Sequence, residues 1–187
     1  MSGILVVGDS ISFGEHLPDR LTQAWPWLLG GMLGTDVVNL SVCGDTTRLA
    51  LERAAEWQAV MRPTVIFQLG VNDANQWESD RGLPRVGAGA FYANLEEMVI
   101  RATHFGARIV VLATVARHER AVPSADDCRD YSDWVRESAE EQGCHVLDLE
   151  ALGPLPTIDG LHLDPVGHAR VAEAARELLE RIEWGRA

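Results

Sequence analysis

The sequence is poor in basic residues and in cysteine, and it has no long apolar run. Lys and Arg number 16 against 28 Asp and Glu, a formal net charge of -12. Such a field repels phosphate backbones and anionic lipids, so nucleic acid and membrane insertion are not expected of this chain. Cys43, Cys128 and Cys144 are odd in number, widely spaced and free of any Cys-x-x-Cys. That pattern indicates neither a disulfide framework nor a thiolate zinc site. No stretch reaches bilayer-spanning length, and nothing resembling a leader precedes "ILVVG", so the chain as given reads as cytoplasmic. A Gly-x-Ser-x-Gly elbow, a Walker A loop and a Gly-x-Gly-x-x-Gly fingerprint are also missing.

What is present is enough apolar material for a core: 47% of 187 residues, a length that suits one domain spanning 1–187. Short Val- and Ile-rich runs at 4–8, 36–40, 64–70, 108–114 and 145–149 read as buried strands. Between and after them, helices are expected over 21–33, 46–61, 89–105, 127–142 and 165–183. In the last, Asp164 can cap, Pro165 suits the first turn, and Val166, Val171, Ala174, Leu178 and Ile182 form the expected inward stripe. Five strands alternating with five helices argue for an α/β domain with a flavodoxin-like parallel sheet. In such sheets ligands sit beyond the carboxyl ends of the strands.

Four of those ends carry small or polar groups: "GDS" after the first, "SVCGDTT" after the second, "GVND" after the third and "DGLHLD" after the fifth. A serine hydroxyl becomes a nucleophile only with a base in reach and a third group to orient that base. Ser10 is the candidate nucleophile, His162 the base, and Asp159, three residues earlier, the group that can turn back onto the imidazole. An oxyanion would need donors in place, and the backbone N–H groups of Ser10 and Gly44 with the side-chain amide of Asn72 can supply them.

In their order, "GDS", "NLSVCGDTT", "GVND" and "DGLH" resemble the SGNH hydrolases, also called the GDSL esterase/lipase family. The resemblance spans nearly the whole chain and implies a three-layer α/β/α fold with a five-stranded parallel sheet. It implies that Ser10 is nucleophile and first oxyanion donor, Gly44 and Asn72 the other donors, His162 the general base and Asp159 its orienting acid. No metal and no organic cofactor follow from it. The one small departure is Ile11 where the family's name-giving Leu stands.

Asp9 and Asp73 read as supports of their turns, and Cys43 as a small buried packing residue, since no base is near it in sequence. His168 lacks an acid partner at the matching spacing and reads as solvated or structural. His16, His104, His118 and His145 show no metal-ligand pattern. On the two long loops, Trp77 is an aromatic wall for substrate or an ordinary loop residue, while Arg81, Arg85, Arg117 and Arg120 read as exposed. The expected activity is hydrolysis of a small carboxylic ester, short-chain acyl or O-acetyl, through an acyl-enzyme. An acyltransferase, thioesterase or lysophospholipase would use the same residues, and a non-catalytic carbohydrate- or partner-binding module would keep only the scaffold. Oligomeric state and acyl length are not encoded in any motif.

Overall fold

The structure, a computed structural model, describes residues 3–76, 81–116 and 125–184. Strands β1 (Ile4–Gly8), β2 (Val37–Asn39), β3 (Thr64–Gln68), β4 (Ile109–Ala113) and β5 (His145–Leu147) form one parallel sheet in the order β2-β1-β3-β4-β5. The three central strands, β1, β3 and β4, are buried along their whole length, as their unbroken apolar runs require. The edge strands are shorter than their apolar runs.

Helices cover both sides of the sheet. Helix α3 (Trp25–Leu33) packs on α9 (Pro165–Trp184), and α7 (Ala88–His104) packs on α8 (Ala125–Gln142) and on α4 (Thr47–Glu52). The chain runs outward from β1 to β2, then crosses back to β3 and continues to β4 and β5. The reversal leaves a crevice beyond the carboxyl ends of β1 and β3, where sheets of this kind bind ligands. Short helices α1 (Ser10–Phe13) and α6 (Val71–Ala74) begin there.

Two expected helices are interrupted. In place of one helix over 21–33, α2 (Arg20–Gln23) ends at the extended Ala24 and α3 restarts at Trp25. Pro26 is the cause, because proline has no N–H to continue a helix and is accommodated only in a first turn. In place of one helix over 46–61, α4 and α5 (Ala54–Ala59) meet at Arg53. The Trp57 indole N–H donates to the Ala50 carbonyl at 3.0 Å, the acceptor that Ala54 N–H would use in an unbroken helix.

The last helix starts as expected, with Asp164 Oδ1 accepting from Gly167 N–H at 2.8 Å. Its buried stripe, however, is His168, Val171, Ala172, Ala175, Leu179 and Ile182, while Val166 is exposed. The helical period, counted from the cap, puts His168 on the inward face. Its Nδ1 accepts the Trp25 backbone N–H at 3.2 Å, so the side chain is structural and not solvated. Burial pushes its pKa down to about 4, with Asp164 acting weakly the other way, so the ring is neutral and its lone pair available at neutral pH.

Gly8, the last residue of β1, is fixed by close approach. A Cβ there would lie 2.7 Å from Ser12 Oγ and 2.9 Å from the Gln68 carbonyl. Gly8→Ala is therefore expected to cost about 1–3 kcal/mol through overpacking. Urea denaturation of the two proteins measures it, and equal midpoints would contradict the close fit.

Candidate active site

The first turn of α1 is held by Asp9, whose carboxylate accepts the Ile11 N–H at 2.9 Å as N-cap. This presents Ser10 as the first helical residue at the end of β1. Beneath it runs a buried polar thread. Gln68 Nε2 donates to Asp9 at 3.4 Å, Ser12 Oγ donates to Gln68 Oε1 at 2.5 Å, and the Trp25 indole N–H donates to Ser12 Oγ at 3.1 Å. Burial raises the Asp9 pKa to about 7, against the opposing pull of the Ile11 and Gln68 hydrogen bonds.

Residues Asp159 to His162 form a tight turn between the bridged residues Thr157 and Leu163. Ile158 N–H donates to the His162 carbonyl at 2.7 Å, and Asp159 Oδ1 accepts the N–H groups of Leu161 at 3.0 Å and His162 at 2.8 Å. This Asx-type turn folds the carboxylate back under the imidazole. Asp159 Oδ2 lies 2.9 Å from His162 Nδ1, and His162 Nε2 lies 3.1 Å from Ser10 Oγ. Partial desolvation acts to raise the Asp159 pKa, but the hydrogen bonds from His162 and Leu161 prevail and hold it well below the usual carboxylate range. Asp159 is thus an anion throughout the neutral range, suited to an Nδ1–H tautomer that leaves Nε2 to accept from Ser10.

The loops after β2 and β3 are laced together beside Ser10. Gly44 has φ 81°, and its carbonyl accepts from Arg85 Nη1 at 3.1 Å. Asn72 Nδ2 donates to the Asp45 carbonyl at 2.9 Å, which uses one of the two amide hydrogens and leaves the other for a ligand. Asp73 is buried and accepts from Thr47 N–H at 3.0 Å and from Thr47 Oγ1 at 2.5 Å. Burial raises its pKa to about 6 even so. The turn-supporting parts expected of Asp9 and Asp73 are visible in these bonds.

Cys43 differs from expectation: it is exposed, not buried. The positive φ at Gly44 turns the loop outward there, and Val42 beside it is exposed too. Partial desolvation and the adjacent Glu15 carboxylate push the Cys43 pKa to about 11, which keeps it a thiol. Trp77, Arg117 and Arg120 lie outside the described residues, and Arg81 is exposed as expected. Three groups near the site carried no motif. Arg85, expected to be exposed, is half-buried, because its guanidinium turns in to brace the Gly44 loop. Gln68 was visible only as a polar residue inside an apolar strand, and Glu15, whose Oε2 lies 3.2 Å from His162 Nε2, has no sequence signal at all.

Residues 6–170 match the model of the GDSL-like Lipase/Acylhydrolase family. The chain belongs to this family. It is an SGNH/GDSL-type serine ester hydrolase, with the α/β/α fold that the family resemblance implied. Curated protein sequences include no match. Among solved structures, the chain is similar to TesA at 27% identity over 97% of this chain and 99% of that one, with a TM-score of 0.77. It is similar in fold to Axe2, an acetylxylan esterase from Geobacillus stearothermophilus, at 21% identity, 95% and 94% coverage and a TM-score of 0.79. The psychrotrophic esterase EstA from Pseudoalteromonas sp., solved with monoethylphosphonate, aligns at 20% identity over 100% of both chains with a TM-score of 0.76. Among the described residues no helix is long and apolar enough to cross a membrane.

The Asp9 carboxyl carries a pH signature. Its folded pKa of about 7 exceeds the ordinary 3.8, so the folded state holds the proton more tightly. Its stabilising share is complete below about pH 4 and is lost as pH rises through about 7. Asp9→Asn should therefore gain stability relative to wild type between about pH 5 and about pH 8, read as a growing gap between denaturation midpoints. A gap independent of pH would refute the raised pKa.

Proposed function

We propose that the protein hydrolyses small carboxylic esters, short-chain acyl or O-acetyl, through an acyl-enzyme on Ser10. The observation that carries this reading is the continuous chain from Ser10 Oγ through the His162 ring to Asp159 Oδ2 in a member of an acylhydrolase family. Ser10 Oγ attacks the ester carbonyl carbon as its proton passes to His162 Nε2, and the carbonyl electrons move onto oxygen. The oxyanion is received by the N–H groups of Ser10 and Gly44 and the remaining Asn72 amide hydrogen. Collapse breaks the bond to the alcohol, which leaves with the proton from His162. Water, deprotonated by the same nitrogen, then releases the acid and restores Ser10.

The preference for small polar substrates is supported by Glu15 and His16, which set polar side chains against the His162 ring. The acetylxylan esterase among its structural relatives fits the same preference. Asp159→Asn is expected to lower kcat by about three to four orders of magnitude through loss of the working tautomer. Ser10→Ala should lower it by about 10⁶-fold and abolish labelling by a fluorophosphonate. A panel of nitrophenyl esters of increasing acyl length, with acetylated sugars beside it, measures both. Unchanged turnover in Ser10→Ala, or a rate that climbs with acyl length, would overturn the reading. With a competing alcohol present, ester formed faster than acid would make the protein an acyltransferase.

A further inference from the structure

The rim of the site holds two side chains that ester cleavage does not use, Glu15 and His16. Both belong to the turn that follows α1, and His16 has a positive φ of 68°, a region that histidine tolerates better than most residues. Its ring meets the His162 ring edge-on with centroids 4.8 Å apart, and its Nε2 lies 3.8 Å from Asp159 Oδ2. One ligand atom from each of His16, Asp159 and His162 falls within 4.8 Å of the others. Because Asp159 Oδ2 is 2.9 Å from His162 Nδ1, that nitrogen is the one the set offers.

We propose that His16 Nε2, Asp159 Oδ2 and His162 Nδ1 form a zinc site that switches the nucleophile off reversibly. Two imidazoles and a carboxylate are a donor set suited to Zn²⁺, with a water completing the tetrahedron. Tetrahedral bonds of about 2.0–2.2 Å put ligand atoms about 3.3–3.6 Å apart, so modest rotation of the exposed His16 closes the set. Asp159 binds through Oδ2, and its Oδ1 keeps the Leu161 and His162 N–H groups, so the turn stays intact.

Glu15 supplies the independent observation. In the ester mechanism His162 Nε2 must present a lone pair, and a carboxylate 3.2 Å away is a poor neighbour for it. When a metal occupies Nδ1, the ring proton moves from Nδ1 to Nε2 and the ring stays neutral. Nε2–H then donates to Glu15 Oε2, the carboxylate–histidine–metal arrangement that orients a ligating imidazole. In that tautomer His162 has no lone pair to accept the Ser10 proton, so the metal-bound protein is inactive. Zinc thus competes for the proton position that catalysis needs, and the metal is an inhibitor rather than a cofactor.

The inhibitory consequence rests on the esterase reading, whereas the binding does not. Calorimetric titration of ZnCl₂ into the Ser10→Ala protein should show a single ion per chain with micromolar affinity, and Co²⁺ should give visible ligand-field bands. His16→Asn, which keeps the left-handed backbone available, should weaken binding by about tenfold or more. Cys43→Ser, which tests the nearby thiol as a rival ligand, should bind as wild type does. Turnover of nitrophenyl acetate, taken as a fraction of each protein's own metal-free rate, should fall with Zn²⁺ and return with chelator. His16→Asn should need about tenfold more zinc for the same loss. Absence of saturable micromolar binding, equal affinity in His16→Asn, or loss of binding in Cys43→Ser would each overturn the site. A wild-type protein without metal-free turnover would count against the esterase reading, and the calorimetry would still decide the site.

Discussion

Everything at the active edge depends on one buried contact, the Asp9 carboxylate accepting the Ile11 N–H at the end of β1. It forces the chain from strand to helix within a single residue and so fixes where Ser10 stands. Asp9 is fully buried, and a lone carboxyl there would be costly. The thread through Gln68, Ser12 and the Trp25 indole offsets part of that cost and ties three elements to the same point. Gly8 is small because this thread passes against it.

The remaining parts arrive from the far end of the chain. Asp159 serves two purposes with two oxygens: Oδ1 shapes its own turn and Oδ2 orients the imidazole. The same separation of labour recurs at the β2 and β3 ends, where Arg85 holds Gly44 and Asp73 holds Thr47. Backbone on both sides of the active edge is thereby fixed by side chains before any substrate arrives. Oriented groups of this kind need no reorganisation as charge develops.

Much of this was legible in the residues. The parallel sheet followed from apolar runs separated by amphipathic stretches, and its strand order makes β1, β2 and β3, whose ends carry Ser10, Gly44 and Asn72, neighbours. The motif blocks identified the Ser10, His162 and Asp159 that the structure brings into hydrogen-bond contact. What escaped was whatever depended on packing between distant segments. Pro26 broke a helix that hydrophobic pattern alone would continue. Whether His168 was solvated or structural stayed open because its partner, the Trp25 backbone, is at the other end of the sequence. Cys43 looked buried because composition says nothing about which way a turn faces, and Glu15 and His16 acquire meaning only beside the turn that carries His162.

The bond between His168 and Trp25 has a temporal meaning as well as a spatial one. It docks the final helix onto α3, and the turn bearing His162 sits just ahead of that helix. During synthesis the serine emerges from the ribosome first and its base almost last. Until the final helix closes against the amino-terminal half, Ser10 has no His162 ring within hydrogen-bond reach. On the proposed function, the nascent chain cannot attack an ester before it has finished folding.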